Sequence, residues 1–296
     1  MEFMEQYLDI SVEYFGDFVK YIEDYVGGLE DNLKKADLNY TLKQYLSMAL
    51  CSAALTFIFV TPFVGILFGL ISSGISGVIG GLIAGPFVGI GAASGMFMLY
   101  YIYPSNEITK RRDNINFNLP FATTYLSTVA GMGTPVASIF RLLGNFDEYG
   151  EVSKEAKKIA NDVYGFGADI EVAITRAAKR TPSEKFKDLL WGINSILTTG
   201  GDLKGFLREK SNTFMDDYRR QLDEFADTLS LMVEMYITIV IVGSVFIMIM
   251  TTIMSSMGSN PVTILALQTA TVFLLLPMAS VMFILIVNTV SPMEAS

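Results

Sequence analysis

The sequence contains no histidine, and its one cysteine is Cys51. Without histidine the chain lacks the commonest general base and the commonest metal ligand. A single cysteine builds neither a disulfide framework nor a zinc site. Charge is missing from two long stretches: residues 44–106 hold no Asp, Glu, Lys or Arg, and neither do residues 235–293. A membrane-spanning helix needs about 20 apolar residues. Each stretch therefore has room for two spans and a short turn, and a soluble core would not tolerate two such runs. The start, MEFMEQYLDI, is acidic and lacks the basic-then-apolar order of a secretory signal. The formal net charge of -9 argues against nucleic acid as a bulk partner.

What is present is helical throughout. Phe3, Tyr7, Ile10, Tyr14, Phe18, Tyr21 and Tyr25 recur at steps of three and four, with Glu2, Glu5, Asp9, Glu13 and Asp17 on the other face. An acidic face is repelled by anionic lipid, so this amphipathic helix is expected to dock against protein. Gly27-Gly28 ends it, and LEDNLKKADLNYTLKQYL leads into the membrane. The first two spans are expected over 45–70 and 75–101. The third and fourth are expected over 235–254 and 262–290. Gly77, Gly81, Gly85 and Gly89 form a bare ridge on the second span. Such a ridge admits another helix backbone, either a neighbouring span or a homodimer seam. Pro86 and Pro277 should kink their helices, and Asn260-Pro261 reads as an N-cap followed by proline at the first helical position.

Of the 21 Lys and Arg residues, four lie in 1–43 and 17 in 104–230. An even number of spans puts both regions and the C-terminus on one side, which the positive-inside rule makes the cytoplasm. Residues 104–230 read as a bundle of five or six helices. Thr134-Pro135 is expected as an N-cap with proline at N1. Thr181-Pro182-Ser183-Glu184 is expected as a capping box. Gly200-Gly201 stops a helix, and Asp202 caps the next. From Phe206 to Val242 there is neither Gly nor Pro. A continuous helix over 203–254 would be about 75 Å long, of which only about 30 Å fits the hydrocarbon.

Motifs for chemistry are weak. Gly165-Phe166-Gly167-Ala168-Asp169 lacks the spacing and membrane setting of a membrane aspartic protease site. Gly200-Gly201-Asp202 is followed by no Gly-Lys-Ser/Thr and so is not a phosphate loop. Glu234 stands at the mouth of the third span, a snorkelling position rather than an ion site. No catalytic, cofactor-binding or metal-ligating set emerges. The basic clusters Lys110/Arg111/Arg112, Lys154/Lys157/Lys158 and Arg219/Arg220 read as solvated faces or as contacts for an acidic partner or anionic lipid.

The stretch NLPFATTYLSTVAGMGTPVASIFRLLG, and then TPSEKFKDLL and TTGGDL, resembles the F domain of type II secretion and type IV pilus platform proteins, in particular the archaeal branch that serves archaella and archaeal pili. The resemblance implies an all-α membrane protein with two transmembrane helical hairpins flanking a cytoplasmic helical-bundle F domain. Its parts would be N-terminal amphipathic helices over 1–45, a hairpin over 46–103, the F domain over 104–230, a second hairpin over 231–290 and a tail over 291–296. It implies a non-enzymatic platform without cofactors that couples a hexameric secretion ATPase to pilin-like membrane subunits. With one F domain where many relatives carry two, the second copy would come from a homodimer or a paired partner. The basic residues above are the expected ATPase contacts. The alternative is a small oligomeric membrane transporter or channel.

Overall fold

The computed structural model describes residues 2–22, 28–38, 40–71, 75–258 and 261–290, with no strand among them. The helices are α1 (Glu2–Ile22), α2 (Gly28–Lys35), α3 (Leu42–Ile71), α4 (Ile75–Ala130), α5 (Val136–Leu143), α6 (Gly150–Tyr164), α7 (Ile170–Arg180), α8 (Glu184–Thr199), α9 (Leu203–Ser256), α10 (Pro261–Ala270) and α11 (Leu276–Val290). A 3-10 turn, Asp147–Tyr149, precedes α6, and a π-helical turn, Thr271–Leu275, joins α10 to α11. Four helical stretches are long and apolar enough to cross a membrane, within α3, α4, α9 and the α10–α11 unit. The molecule is an all-α membrane protein.

The first hairpin begins at a capping box. Thr41 Oγ1 accepts from the Gln44 amide at 3.3 Å, and Gln44 Oε1 accepts from the Thr41 amide at 2.9 Å, so two orphan donors at the start of α3 satisfy each other's residues. α3 and α4 then run antiparallel, with Tyr45 beside Tyr100 and Thr61 beside Gly85.

α4 extends beyond the second span expected over 75–101. It continues unbroken through Pro104 and Pro120 into the polar domain, 56 residues in all. An internal proline usually strands the carbonyl four residues earlier. For Pro104 that carbonyl belongs to Tyr100, and the Tyr45 hydroxyl donates to it at 2.8 Å. The freed acceptor is thus satisfied and the helix persists. α9 is continuous as expected, over 54 residues. At 1.5 Å per residue the two helices are about 84 and 81 Å long.

Before Pro277, where a kink is expected, the helix widens. The π-helical turn precedes the proline, with the Leu276 amide bonding the carbonyl of Thr271, five residues back. The wider turn makes room where the proline ring would meet the Phe273 carbonyl. Asn260, the 72–74 part of the first turn and the 291–296 tail lie outside the described residues.

Two separate apolar cores form. The larger fills the polar domain, with Ile115, Leu119 and Leu126 of α4, Phe140 of α5, Ile159 of α6, Ile174 of α7, Phe186 and Leu190 of α8, and Leu207 and Phe214 of α9. The smaller joins Val19 of α1, Leu29 and Leu33 of α2, and Leu42, Tyr45, Leu46 and Met48 of α3. α1 lies antiparallel along α3, since Tyr7 donates to the Met48 carbonyl at 3.4 Å and Gly16 faces Lys43. The aromatic face of α1 is divided by this packing. Tyr7 turns inward while Ile10, Tyr14 and Phe18 stay exposed. The side chains of Phe3 and Tyr21, and all of Tyr25, lie outside the described residues.

Candidate partner interface

The basic residues singled out from the sequence do not form one surface. Lys110 and Lys157 are exposed and make no ion pair with a described residue. Arg112 is exposed and pairs with Asp113 at 3.0 Å. Lys154 reaches Glu151 at 2.6 Å. Arg219 and Arg220 stand out from α9, paired with Asp216 and Asp217 one turn back. Surface pairs of this kind contribute about 0–1 kcal/mol and leave the cations open to a partner.

Arg111 and Lys158 depart from the expectation of exposure. The Arg111 side chain is 3% exposed. Its Nε donates to Glu151 Oε2 at 2.8 Å, its Nη1 to the Lys35 carbonyl at 2.8 Å, and its Nη2 to Glu155. The Glu155 side chain is fully buried and also accepts from Arg180 at 2.7 and 3.1 Å and from Lys158 at 3.3 Å. Lys158 bonds Asp37 as well, which itself lies 3.8 Å from Arg111. The reason for the burial is the position of Glu155. It sits on α6 among Val152, Ala156 and Ile159, on the face that enters the core, and a buried carboxylate requires cations around it. That charged residue on an otherwise apolar helix face was the sequence signal for this site. Glu155, Glu151, Asp37 and Arg180 were all missed.

These residues come from three directions: Lys35 at the end of α2 and Asp37 just after it, Arg111 from α4, and the rest from α6 and α7. They fill the gap between the two apolar cores. The connection between the N-terminal segment and the polar domain is therefore an ionic joint rather than a continuous hydrophobic one. Burial pushes the Glu151 carboxyl up, but hydrogen bonds from Lys154 and Arg111 outweigh this and hold it below its ordinary value. Burial pushes Arg111 down, and the Glu155, Glu151 and Asp37 carboxylates more than reverse it. A polar cleft of about 620 Å³ opens beside the joint, bounded by Ala36–Leu38, α4 and α6. Lys110 lies on its wall.

The glycine ridge faces its own chain over its described half. A Cβ on Gly85 would lie 2.8 Å from the Thr61 carbonyl, and one on Gly89 would collide with Thr61 Oγ1 and Phe57. α3 occupies that part of the ridge, so of the two expectations these glycines serve packing between neighbouring spans. The sites of Gly77 and Gly81 on α4 lie outside the residues whose surroundings are described.

The helix-end residues are partly reassigned. α8 is capped by Ser183, not Thr181: Ser183 Oγ accepts from the Phe186 amide at 3.2 Å and donates to Asn116 at 2.6 Å. Thr181 instead ends α7, its amide bonded to Ala177, because a residue before proline is driven out of the helical region. Pro182 fills the turn, and Glu184 opens α8 and pairs with Lys187 at 3.1 Å. α5 starts at Val136 with Pro135 in the cap position and no side-chain bond from Thr134. Gly200 ends α8 at φ 73°, with its own amide and that of Gly201 both on the Ile196 carbonyl. Asp202 holds the cap position of α9 without a side-chain bond.

Residues 122–251 match the family model described as type II secretion system (T2SS), protein F. The chain carries an F domain. The match begins inside α4, covers the bundle and follows α9 far into its apolar half. The F-domain chain is 28% identical over 210 residues to an uncharacterized protein of Methanocaldococcus jannaschii, covering 67% of this chain and 34% of that one. It is also similar to two proteins named flagella accessory protein J. The one from M. jannaschii is 27% identical over 46% of this chain and 24% of its own length. The one from Methanococcus voltae is 25% identical over 55% and 28%. The chain thus spans about a third or less of the length of these relatives. No solved structure matches it. These likenesses agree with the resemblance to archaeal F-domain platform proteins and with a multi-pass membrane protein.

Proposed function

We propose that this F-domain protein is a non-enzymatic platform in the cytoplasmic membrane, coupling a cytoplasmic secretion ATPase to the assembly of pilin-like subunits of a pilus, archaellum or secretion machine. The bundle over 104–230 faces the cytoplasm in this reading, as do both termini. A second F domain comes from a homodimer or a paired protein. The observation that carries the reading is the continuity of α4 and α9, which join the bundle to the first and second hairpins without a break. A helix transmits a displacement along its axis, where a flexible loop would absorb it. Movement imposed on the bundle would therefore reach the membrane through two rods. Lys110, Lys154, Lys157, Arg112, Arg219 and Arg220 remain available for an acidic partner.

The test uses the full chain in lipid nanodiscs and the secretion ATPases of the same organism, with binding and ATP turnover measured together. Saturable binding that changes turnover is the expected result and would identify the machine. An absence of binding by every such ATPase would remove the coupling mechanism.

A further inference from the structure

Six cations line an open cleft of about 500 Å³ between α2 and the turn from α7 to α8: Lys34, Lys35, Arg176, Lys179, Arg180 and Lys187. Two carboxylates, Asp31 and Glu184, share the lining. None of the eight basic residues picked out from the sequence is among them. Helical spacing builds one wall. Arg176, Lys179 and Arg180 lie at i, i+3 and i+4 on α7, along the edge of the face that buries Ala173, Ile174 and Ala177. The other wall is held in place by the ionic joint, since Arg111 grips the Lys35 carbonyl. Carboxylates temper part of this charge: Glu30 meets Lys34 at 2.7 Å, Asp162 meets Arg176 at 4.0 Å, and Glu155 binds Arg180 from beneath. Lys35 and Lys179 face each other's wall with no ion pair to a described residue.

We propose that this cleft docks an acidic segment of a protein partner. The positive charge is spread along two walls of an open groove rather than converging on one point, which suits carboxylates spaced along a peptide better than a single small anion. Its height runs from within the headgroup layer to beyond it, so lipid headgroups reach only its lower part. Glu107 is the first charge after the uncharged stretch of α4. The cleft is tied to that helix by Arg111 and, through Ser183, by Asn116. These lie about 6 and 14 Å beyond Glu107 along the helix, whereas the headgroup layer is about 5–8 Å deep. An acidic segment seated there would bridge α2 and the α7–α8 turn. It would brace the ionic joint from outside, because Lys35 and Arg180 both belong to it. This inference does not depend on which machine the chain serves.

The experiment takes the full chain in nanodiscs of neutral phosphatidylcholine and a fluorescent glutamate-rich peptide, read by anisotropy. The unaltered chain should bind the peptide, and more weakly as salt rises. The Lys35→Glu/Lys179→Glu variant should weaken binding by about tenfold. Lys35→Gln/Lys179→Gln, which adds no new repulsion, should lie between. Lys204→Glu/Arg208→Glu, exposed on the first turns of α9 and outside the cleft lining, should stay within about twofold. Thermal unfolding of each variant separates loss of fold from loss of binding. The proposal is overturned by an absence of peptide binding, or by equal losses in the two charge-reversed pairs. It is also overturned if inorganic phosphate or phosphatidylglycerol vesicles displace the peptide through the same two lysines.

Discussion

Glu155 is the buried centre of the ionic joint. It is wholly buried, and three cations from α4, α6 and α7 converge on it. Removing one partner from a buried ion group leaves uncompensated charge in a low dielectric, at a cost of about 3–5 kcal/mol. Glu155→Ala should therefore lower the thermal midpoint markedly, while Lys110→Ala, on the exposed side of the same joint, should change stability by less than about 0.5 kcal/mol. Equal effects would mean that the joint is not structural. Glu151 supplies a pH signature. Its folded pKa lies below the ordinary 4.5, so its contribution is complete above that value and is lost as pH falls through the folded pKa. The stability difference between the unaltered chain and Glu151→Gln should thus be largest near neutrality and shrink below about pH 4.5, measured as unfolding midpoints across an acid series. A difference that grows in acid would contradict the assignment.

At the scale of elements, what was legible followed from local rules. The uncharged runs located the hairpins, and the Gly- and Pro-free run located α9. Gly200-Gly201 marked the end of α8, and its left-handed backbone makes a further prediction. Gly200→Ala forces a Cβ into φ 73° and should destabilise the bundle by about 1 kcal/mol, seen as a shift in denaturant midpoint with unchanged slope. What was not legible depended on distant partners. How α4 passes Pro104 depends on Tyr45, from another helix, which satisfies the carbonyl that the proline frees. Thr181 reads as a cap until α7 is seen to end on it, which passes the capping role to Ser183 and its partner Asn116. Arg111 reads as part of a solvated or partner-binding basic face until Glu155 is found beneath it. The face of Arg176, Lys179 and Arg180 was visible as a helical pattern, but only the return of α2 to lie opposite turns it into a cleft.

At the scale of the whole molecule, the charged bundle is attached to the membrane hairpins in three ways. α4 and α9 are covalent rods, and the ionic joint ties the bundle to α2 and the start of α3. If motion of the bundle is to reach the membrane, a break in one rod should be partly compensated by the other. Inserting Gly-Gly-Pro after Ala226 interrupts α9 above its apolar half, and the same insertion after Asn106 interrupts α4. A proline costs about 3 kcal/mol inside a helix and glycine about 1, enough to end each rod locally without removing a core residue. On the coupling reading, either insertion alone should reduce filament assembly and the two together should abolish it, while the partner ATPase still binds with its original affinity. Assembly counted by electron microscopy, set against binding in nanodiscs, separates the cases. Unimpaired assembly with both rods broken would show that the bundle acts as a passive anchor. Loss of binding along with assembly would show that the rods orient the docking surface instead of carrying the stroke.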